Sequence, residues 1–394
     1  MEDHTLIPKP PKTGCRRVAV AMSGGVDSSV VAAMLHDVGW EVMGLTMRLY
    51  HSGDANTPFH HATTKSCCAG RDIADAQHVA HRLNIPHYVL DYEQQFQKDV
   101  IDDFADSYIN GQTPLPCVRC NQKIKFHHLL QQARELGCRC LATGHYVRQE
   151  IRKTEPNHLY RAIDKERDQS YFLFATTRQQ LPFLLFPLGN FRKKDVRCLA
   201  QHYQLGDISD KKDSQDLCFV PHGHYSNLVQ RLRPDAMTPG PIIDTHGNVV
   251  GSHRGLLFYT VGQRKGLPLK ARHAHTAPHY VIAIDNTRNT ITVGTQKDLS
   301  HEAVQLTHVN WLGEEDIDTD MTLDVRLRST ATPVKARVRL TRAQGHEKQH
   351  AGGASSPIPL SATVCFHHPT TRTARGQACA FYHQERLLGG GWVC

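Results

Sequence analysis

The run Arg16 to Met22, "RRVAVAM", is a short apolar stretch behind two basic residues, the pattern of a buried strand. A glycine turn, "SGGVDSS", follows. Val30, Val31, Met34, Leu35 and Val38 then recur at helical spacing, and "EVMGLTMRLY" returns to strand character. A strand, a glycine crossover, a helix and a second strand predict an α/β fold with a doubly wound parallel sheet. The alternation continues through "CCAGRDIADAQHVAHRLN" (helix), "PHYVLDY" (strand), "FQKDVIDDFADSYING" (helix, ended by Asn110-Gly111), "NQKIKFHHLLQQARELG" (helix) and "RCLATGHY", a strand ending in a glycine loop. The middle of the chain is helical and basic, in "LPFLLFPLGNFRKKDVRCLAQHYQL" and "HYSNLVQRLRP". After Pro239-Gly240 the period drops to two. "GPIIDTHGNVVGSHRG", "YVIAIDNTRNTITVG", "TLDVRLRSTATPVKARVRL" and "GQACAFYHQERLLGGGWV" predict a C-terminal antiparallel β-barrel. "AQGHEKQHAGGASSP" reads as an exposed loop within it. There are no internal repeats. The expected organisation is a flexible N-terminus at 1–15, an α/β domain at 16–186, a small basic helical region at 187–238 and the barrel at 239–394.

Length changes this picture little: 394 residues suffice for two or three domains. No apolar run approaches the roughly 18 residues of a membrane span, and "MEDHTLIPKPPKTGCRR" is too polar for a secretory leader. The expectation is a cytoplasmic monomer in a reducing compartment. That bears on the 12 cysteines, because clustered thiols there point to metal binding or catalysis more often than to structural disulfides. The net charge of +8 suits an anionic partner such as RNA without requiring one. The 27 histidines are dispersed and read mostly as surface residues.

"SGGVDSS" stands between a strand and a helix, where backbone N–H groups at the helix start can cradle a phosphate. Ser23, Ser28 and Ser29 would add hydroxyl donors, Gly24 and Gly25 would allow the tight turn, and Asp27 would ligate Mg²⁺ or cap the helix. The bland alternative is a Ser/Gly turn that only caps a helix. The G-x-x-x-x-G-K-[ST] and G-x-G-x-x-G patterns are both absent, which argues against a P-loop and a dinucleotide fold. The stretch resembles the pyrophosphate loop of the N-type ATP pyrophosphatases. That resemblance implies a PP-loop catalytic domain that adenylates a carbonyl oxygen, but it does not name the nucleophile.

Cys117, Cys120 and Cys218 are the candidates to name it. "TPLPCVRCNQKIKF" puts Cys117 and Cys120 on a Pro-framed loop before a helix, with Cys120 near a helix N-terminus and beside Arg119, features that favour thiolate. Cys218 lies in the loop "SQDLCFVPHGHY". One thiol can carry sulfur as a persulfide while a second closes a disulfide on it; alternatively three thiolates can hold an iron–sulfur cluster with one open iron. The plainer readings are half of a zinc site, with Cys138 and Cys140 as its poorly spaced other half, and a merely buried Cys218. Cys67 and Cys68 read as structural or incidental.

The segments "AMSGGVDSSV", "GLTM", "TPLPCVRCNQKIKF", "LATGHYVR", "RDQSYFLF", "FPLGNFRKKDVR", "KKDSQDLCF", "YTVGQRKGL" and "LGGGW", in this order, resemble the tRNA-specific 2-thiouridylase family from about residue 16 to the C-terminus. The resemblance implies an ATP- and Mg²⁺-dependent transferase that adenylates the wobble uridine of tRNA and replaces its O2 with sulfur from a cysteine persulfide. It implies that Ala21, Met22, Ser23, Gly24, Gly25, Val26, Asp27, Ser28, Met47 and Gly144 bind ATP. Cys120 would be the first active-site cysteine and Cys218 the persulfide carrier, joined by a transient disulfide. Leu115, Pro116 and Cys117 would approach the target base, and Arg167, Asp168 and Gln169 would touch tRNA. A sulfur-donor protein of a persulfide relay is implied as partner. Cys117 departs from the family's frequent aspartate. The third thiol keeps open a four-iron four-sulfur cluster on Cys117, Cys120 and Cys218.

From the residues themselves, "FRKKDVR" and "VGQRKG" suit phosphate contact, and "RLRSTATPVKARVRL" sets Arg326 and Arg328 at alternate positions, as for tRNA or as a plain solvated face. His145 is either a contact to phosphate or base or a structural hydrogen bonder. The residues leave two other functions open: an amide-forming ATP pyrophosphatase, and a non-catalytic RNA-binding protein stapled by zinc.

Overall fold

In the computed structural model, residues 7–50, 68–152, 157–211, 217–220, 225–234, 237–270, 278–314, 320–342, 360–371 and 373–394 are described. Cys67, the side chain of Cys68 and the expected loop at 343–357 fall outside them. The chain forms two compact units. The first comprises 1–102, 116–224 and 385–387; the second comprises 103–115, 225–384 and 388–394.

The first unit is built on β1 (Arg17–Ala21), β2 (Glu41–Arg48), β3 (His87–Asp91), β4 (Cys140–Ala142) and β7 (Leu184–Leu185). They form one parallel sheet in the order β3-β2-β1-β4-β7. The apolar run read in "RRVAVAM" is buried on both faces: Val18, Ala19 and Val20 all lie in the core. Two helices follow the first two strands, α1 (Val26–Asp37) and α2 (Cys68–Arg82). Val30, Val31, Met34 and Leu35 of α1 share a core with Ala76 and Val79 of α2 and with Val196 and Ala200 of the Lys193–His202 helix. The chain runs outward from β1 to β2 and β3, then returns to β4 on the other side of β1. That reversal opens a crevice at the carboxyl ends of β1 and β4, where open α/β sheets bind ligands. The glycine loop follows β1, and Thr143, Gly144 and His145 follow β4, so both flank that point. A hairpin of β5 (Val147–Glu150) and β6 (His158–Arg161) completes the unit's strands.

The second unit holds two sheets. β8 (Gly240–Ile243), β9 (Val249–His253), β10 (Tyr280–Asp285) and β11 (Thr290–Gly294) form one, in the order β10-β11-β8-β9, around Ile242, Val250, Val281, Ile291 and Val293. β12 (Ser300–Trp311), β13 (Asp320–Arg326), β14 (Val334–Arg342), β15 (Leu360–Thr371), β16 (Ala378–His383) and β17 (Arg386–Val393, its first two residues counted with the first unit) form the other. Its order is β12-β15-β14-β13-β16-β17, and β12 also pairs with β17, so it closes into a six-stranded barrel. The alternation in "KARVRL" is literal: Ala336, Val338 and Leu340 are buried while Lys335, Arg337 and Arg339 face out. Closure depends on "LGGGW". A Cβ on Gly389 would sit 2.0 Å from the Asn310 carbonyl oxygen, so only glycine lets β17 approach β12 there. The strands from 240 onward therefore split into a separate sheet and a barrel, because period-two patterning shows which face is buried and not which strands pair.

Candidate active site

Gly24 makes the turn after β1 in the left-handed region, at φ +66°. α1 then starts at Val26, with Gly25 as an extended N-cap that offers no side chain. The serines do not all face outward as expected. Ser28 and Ser29 are buried, and both hydroxyls donate to the Gly25 carbonyl, at 3.2 and 2.9 Å. Ser28 Oγ also accepts the Ser23 N–H at 3.1 Å. Their hydroxyls stiffen the loop, and Ser28 takes up the Ser23 N–H, so a ligand would be met by the N–H groups at the start of α1. Lys211 braces it further: its ammonium donates to the Gly24 carbonyl at 2.9 Å and pairs with Asp72 and Asp75 of α2 at 2.6 and 2.7 Å.

Asp27 is held from two sides. Tyr146 donates its hydroxyl to Oδ1 at 2.7 Å, and Lys193 contacts both carboxylate oxygens at 2.8 Å. Lys193 belongs to "FRKKDVR", so one of the basic residues expected at phosphate is engaged by the loop's own aspartate.

Two adjoining cavities open here. A smaller one of about 200 Å³ is lined by Ala21, Met22, Ser23, Asp27, Ser28, Met47 and Gly144 among others, which brings together seven of the residues expected to bind ATP. A larger one of about 470 Å³ takes in Ser23, Gly25, Val26 and Asp27 together with Pro116, Cys117, Cys120 and Cys218. Gly24 lines neither and acts through the shape of the turn. Ser23, Asp27, Lys125, His145 and Gln169 line both cavities.

The cysteine pair is not on a loop. A helical run begins at Pro116, continues through Pro116–Arg119 and the π-helical Cys120–Leu129, and ends at Glu135. The signal was present: proline suits the first helical position, where its missing N–H is not needed. The wide π turn sits at Cys120, where such distortions often mark functional sites. Cys218 lies on a turn anchored on both sides. Its carbonyl accepts the Tyr50 hydroxyl at 3.1 Å, and the buried Phe219 packs edge-on against Phe96 at 5.8 Å.

The expected depression of the thiol pKa values is reversed. Cys117 and Cys218 reach solvent through the cleft mouth, but the surrounding walls dominate. Burial raises Cys117 and Cys120 above the usual thiol range, against the pull of Lys125. Burial, followed by the charges of Cys120 and Cys117, pushes Cys218 up to about 12. Desolvation outweighs the helix start and Arg119. His145 is held neutral by burial first and Lys125 second, and its Nδ1 bonds Thr143 Oγ1 at 2.8 Å.

Lys125 was not singled out from sequence. Of the lysines lining the larger cavity, Lys193 and Lys211 are paired with aspartates, whereas Lys125 has no carboxylate partner among the described residues. Because the thiols titrate high, alkylation of Cys120 by iodoacetamide should rise with pH beyond the ordinary thiol range. In Lys125→Met the profile should shift further upward and the rate at pH 8 should fall about three- to tenfold. A superimposable profile would show that Lys125 does not act on the thiols.

Among the remaining expected contacts, Arg167 and Gln169 line the larger cavity, and the Gln169 carboxamide oxygen accepts the Tyr146 N–H at 2.9 Å. Asp168 is buried. It pairs with Arg161 at 3.2 Å and accepts the N–H groups of Ala162 and Ser170, so it shapes the 162–170 loop from inside and does not face a ligand. Leu115 is half-buried just ahead of the helix. Arg328 is exposed, but Arg326 is only 4% exposed and donates to the Ser329 carbonyl, which removes it from any surface that could meet RNA. The exposed face of β14 is partly neutralised, with Arg339 on Asp320 and Lys335 on Asp324. Cys138 and Cys140 are buried thiols in and before β4, and the ten described cysteines are all free. Among the described residues no three His, Cys, Asp or Glu side chains are grouped to hold a metal ion. Cys117, Cys120 and Cys218 thus share a cavity without forming a ready metal-ligand set, and among the described residues the zinc half-site has no second half. No helix among the described residues is long and apolar enough to cross a membrane.

Comparison with known proteins agrees with this arrangement. The family model described as tRNA methyl transferase HUP domain matches residues 16–222, a tRNA methyl transferase PRC-barrel domain matches 226–295, and an aminomethyltransferase beta-barrel domain matches 301–393. The tRNA-specific 2-thiouridylase MnmA of Paracoccus denitrificans is 47% identical over 389 residues, covering 98% of this chain and 93% of its own. That of Rhodospirillum centenum is 47% identical over 381 residues, covering 96% and 91%. That of Paramagnetospirillum magneticum is 46% identical over 389 residues, covering 98% and 97%. Likeness to solved structures is weak: NMN synthetase from Francisella tularensis covers 56% of this chain and 78% of its own at 15% identity and a TM-score of 0.33. With near-complete coverage at almost half identity, the chain belongs to the tRNA-specific 2-thiouridylase family.

Proposed function

We propose that this chain uses ATP to adenylate O2 of the wobble uridine in tRNA and then installs sulfur at C2 from a persulfide on Cys218. The observation that carries the reading is the larger cavity, whose wall includes both the glycine loop and the thiols of Cys117, Cys120 and Cys218. An amide-forming pyrophosphatase has no use for three thiols there.

ATP fits the smaller cavity with its phosphates against the N–H groups at the start of α1. Mg²⁺ would neutralise phosphate charge, and it would take the Asp27 carboxylate as a ligand only with the Lys193 ammonium turned from that carboxylate to the phosphates. The uridine enters flipped from its stack, because C2 is otherwise hard to reach. Pro116 and Cys117 then form part of the wall beside it, and Arg167 and Gln169 meet the tRNA. The terminal sulfur of the Cys218 persulfide attacks C2, and AMP departs. Cys120 attacks the Cys218 sulfur, which leaves the terminal sulfur on the base and closes a Cys120–Cys218 disulfide. His145, neutral beside these groups, can accept or donate a hydrogen bond without adding charge. A donor protein charges Cys218 for the next cycle. No step requires a cluster.

The test supplies ATP, unmodified tRNA and a low-molecular-weight persulfide donor, and measures AMP and 2-thiouridine together. Equal yields are expected. AMP without a thionucleoside would overturn the reading in favour of another nucleophile, and stoichiometric zinc with no AMP would favour a binding protein.

A further inference from the structure

We propose that Cys117 is the resolving thiol of this site: it attacks Cys120 in the Cys120–Cys218 disulfide, forms a Cys117–Cys120 disulfide and frees Cys218 to be charged again. This rests on the persulfide reaction proposed above. It supplies a route by which Cys218 is freed, because a site left as Cys120–Cys218 cannot accept more sulfur.

The helix makes the exchange geometrically natural. Cys117 and Cys120 lie in one continuous helical run that begins at Pro116, one turn apart. Residues three apart on a helix share a face, with Cα atoms about 5 Å apart. That separation falls inside the roughly 4.4–6.8 Å range that a disulfide bridges. All three thiols line one cavity, so no large displacement is needed for Cys117 to reach the sulfur of Cys120 while Cys120 is bonded to Cys218. Val118 is fully buried between the pair in sequence, which fixes the rotation of the helix and keeps the two cysteines turned to the cleft. The electrostatic influence of both Cys117 and Cys120 on Cys218 is consistent with that proximity.

The exchange balances without an added oxidant. The Cys117 thiol and the Cys120–Cys218 disulfide become the Cys117–Cys120 disulfide and the Cys218 thiol. One S–S bond forms, one breaks, and the proton of Cys117 passes to the departing Cys218 sulfur. Two electrons from an external dithiol reductant then open the Cys117–Cys120 disulfide. Cys117 is exposed, whereas Cys120 is only partly so, so the reductant's thiolate meets the outer sulfur of the pair first.

The location of the disulfide decides the matter. Protein carrying the Cys218 persulfide is given ATP and unmodified tRNA without reductant, quenched in acid, alkylated and peptide-mapped. In the wild type, Cys117–Cys120 should be the main disulfide and Cys218 should be alkylated; in Cys117→Ser, Cys120–Cys218 should take its place. Wild-type protein that stops at Cys120–Cys218 would overturn this proposal and leave the persulfide reaction standing. 2-Thiouridine formed with no protein disulfide would overturn both. A second measurement needs no turnover. In a glutathione redox buffer, Cys117–Cys120 should form equally in wild type and Cys218→Ser; its failure to form at any oxidising ratio would also overturn the proposal.

Discussion

Cys218→Ser is expected to release pyrophosphate from ATP when unmodified tRNA is present, yet to make 2-thiouridine at no more than about a thousandth of the wild-type rate. A hydroxyl cannot carry sulfane sulfur, so the nucleophile is lost outright. The activation step is untouched, because the glycine loop and its braces, Lys211 and the Ser28 and Ser29 hydroxyls, lie elsewhere on the cavity wall. Nor should the turn collapse. It is held by the Tyr50 hydroxyl on the Cys218 carbonyl and by Phe219 against Phe96, neither of which involves the sulfur. Pyrophosphate release and thionucleoside yield are therefore measured on the same sample, with thermal unfolding as a fold control. Thiolation above one tenth of the wild-type rate would remove Cys218 from the reaction. Loss of both products in a protein that still melts cooperatively would mean that Cys218 serves activation instead.

What was legible in the chain is what depends on neighbours in sequence. The strand "RRVAVAM", the glycine turn and the apolar period of α1 are local patterns, and the buried Val18, Val20, Val30 and Val31 follow them. The barrel was legible from the alternation in β14, but its separation from the preceding four-stranded sheet was not, because pairing is a tertiary choice. The site divides the same way. Cysteines near a glycine loop in space were nominated from motifs. The roles of Lys193, Tyr146 and Lys211 were not, because their partners lie 166, 119 and 187 residues away. Thiol acidity was read with the wrong sign for a related reason: a helix start and a neighbouring arginine are visible in sequence, while the desolvation that outweighs them is a property of the folded cleft. Arg326 and Arg328 differ by two positions and look equivalent in "RLRST", but the strand ends at Arg326, which turns inward while Arg328 stays out.

Gly24→Ala should cost the protein more than 100-fold in ATP-dependent pyrophosphate release, through the shape of the loop and not through a lost contact. The backbone at Gly24 has φ +66°, a conformation that costs an alanine on the order of 1 kcal/mol. Steric overlap costs more, since the new Cβ would lie 2.1 Å from the Asp72 carbonyl oxygen. The loop cannot simply lift away, because Lys211 ties the Gly24 carbonyl to the Asp72 and Asp75 carboxylates, and Ser28 ties the Ser23 N–H to the helix start. Relief requires the turn to change, and the turn is what points the N–H groups into the cavity. Gly25→Ala is the informative comparison. Its φ is ordinary and the nearest atom to an added Cβ is Ser23 Oγ at 3.6 Å, so that variant should melt within about 1 °C of wild type, whereas Gly24→Ala should melt several degrees lower. Equilibrium binding of a non-hydrolysable ATP analogue and thermal unfolding, measured on both variants, check this. Wild-type nucleotide affinity in Gly24→Ala would mean that the phosphates do not bind at this turn.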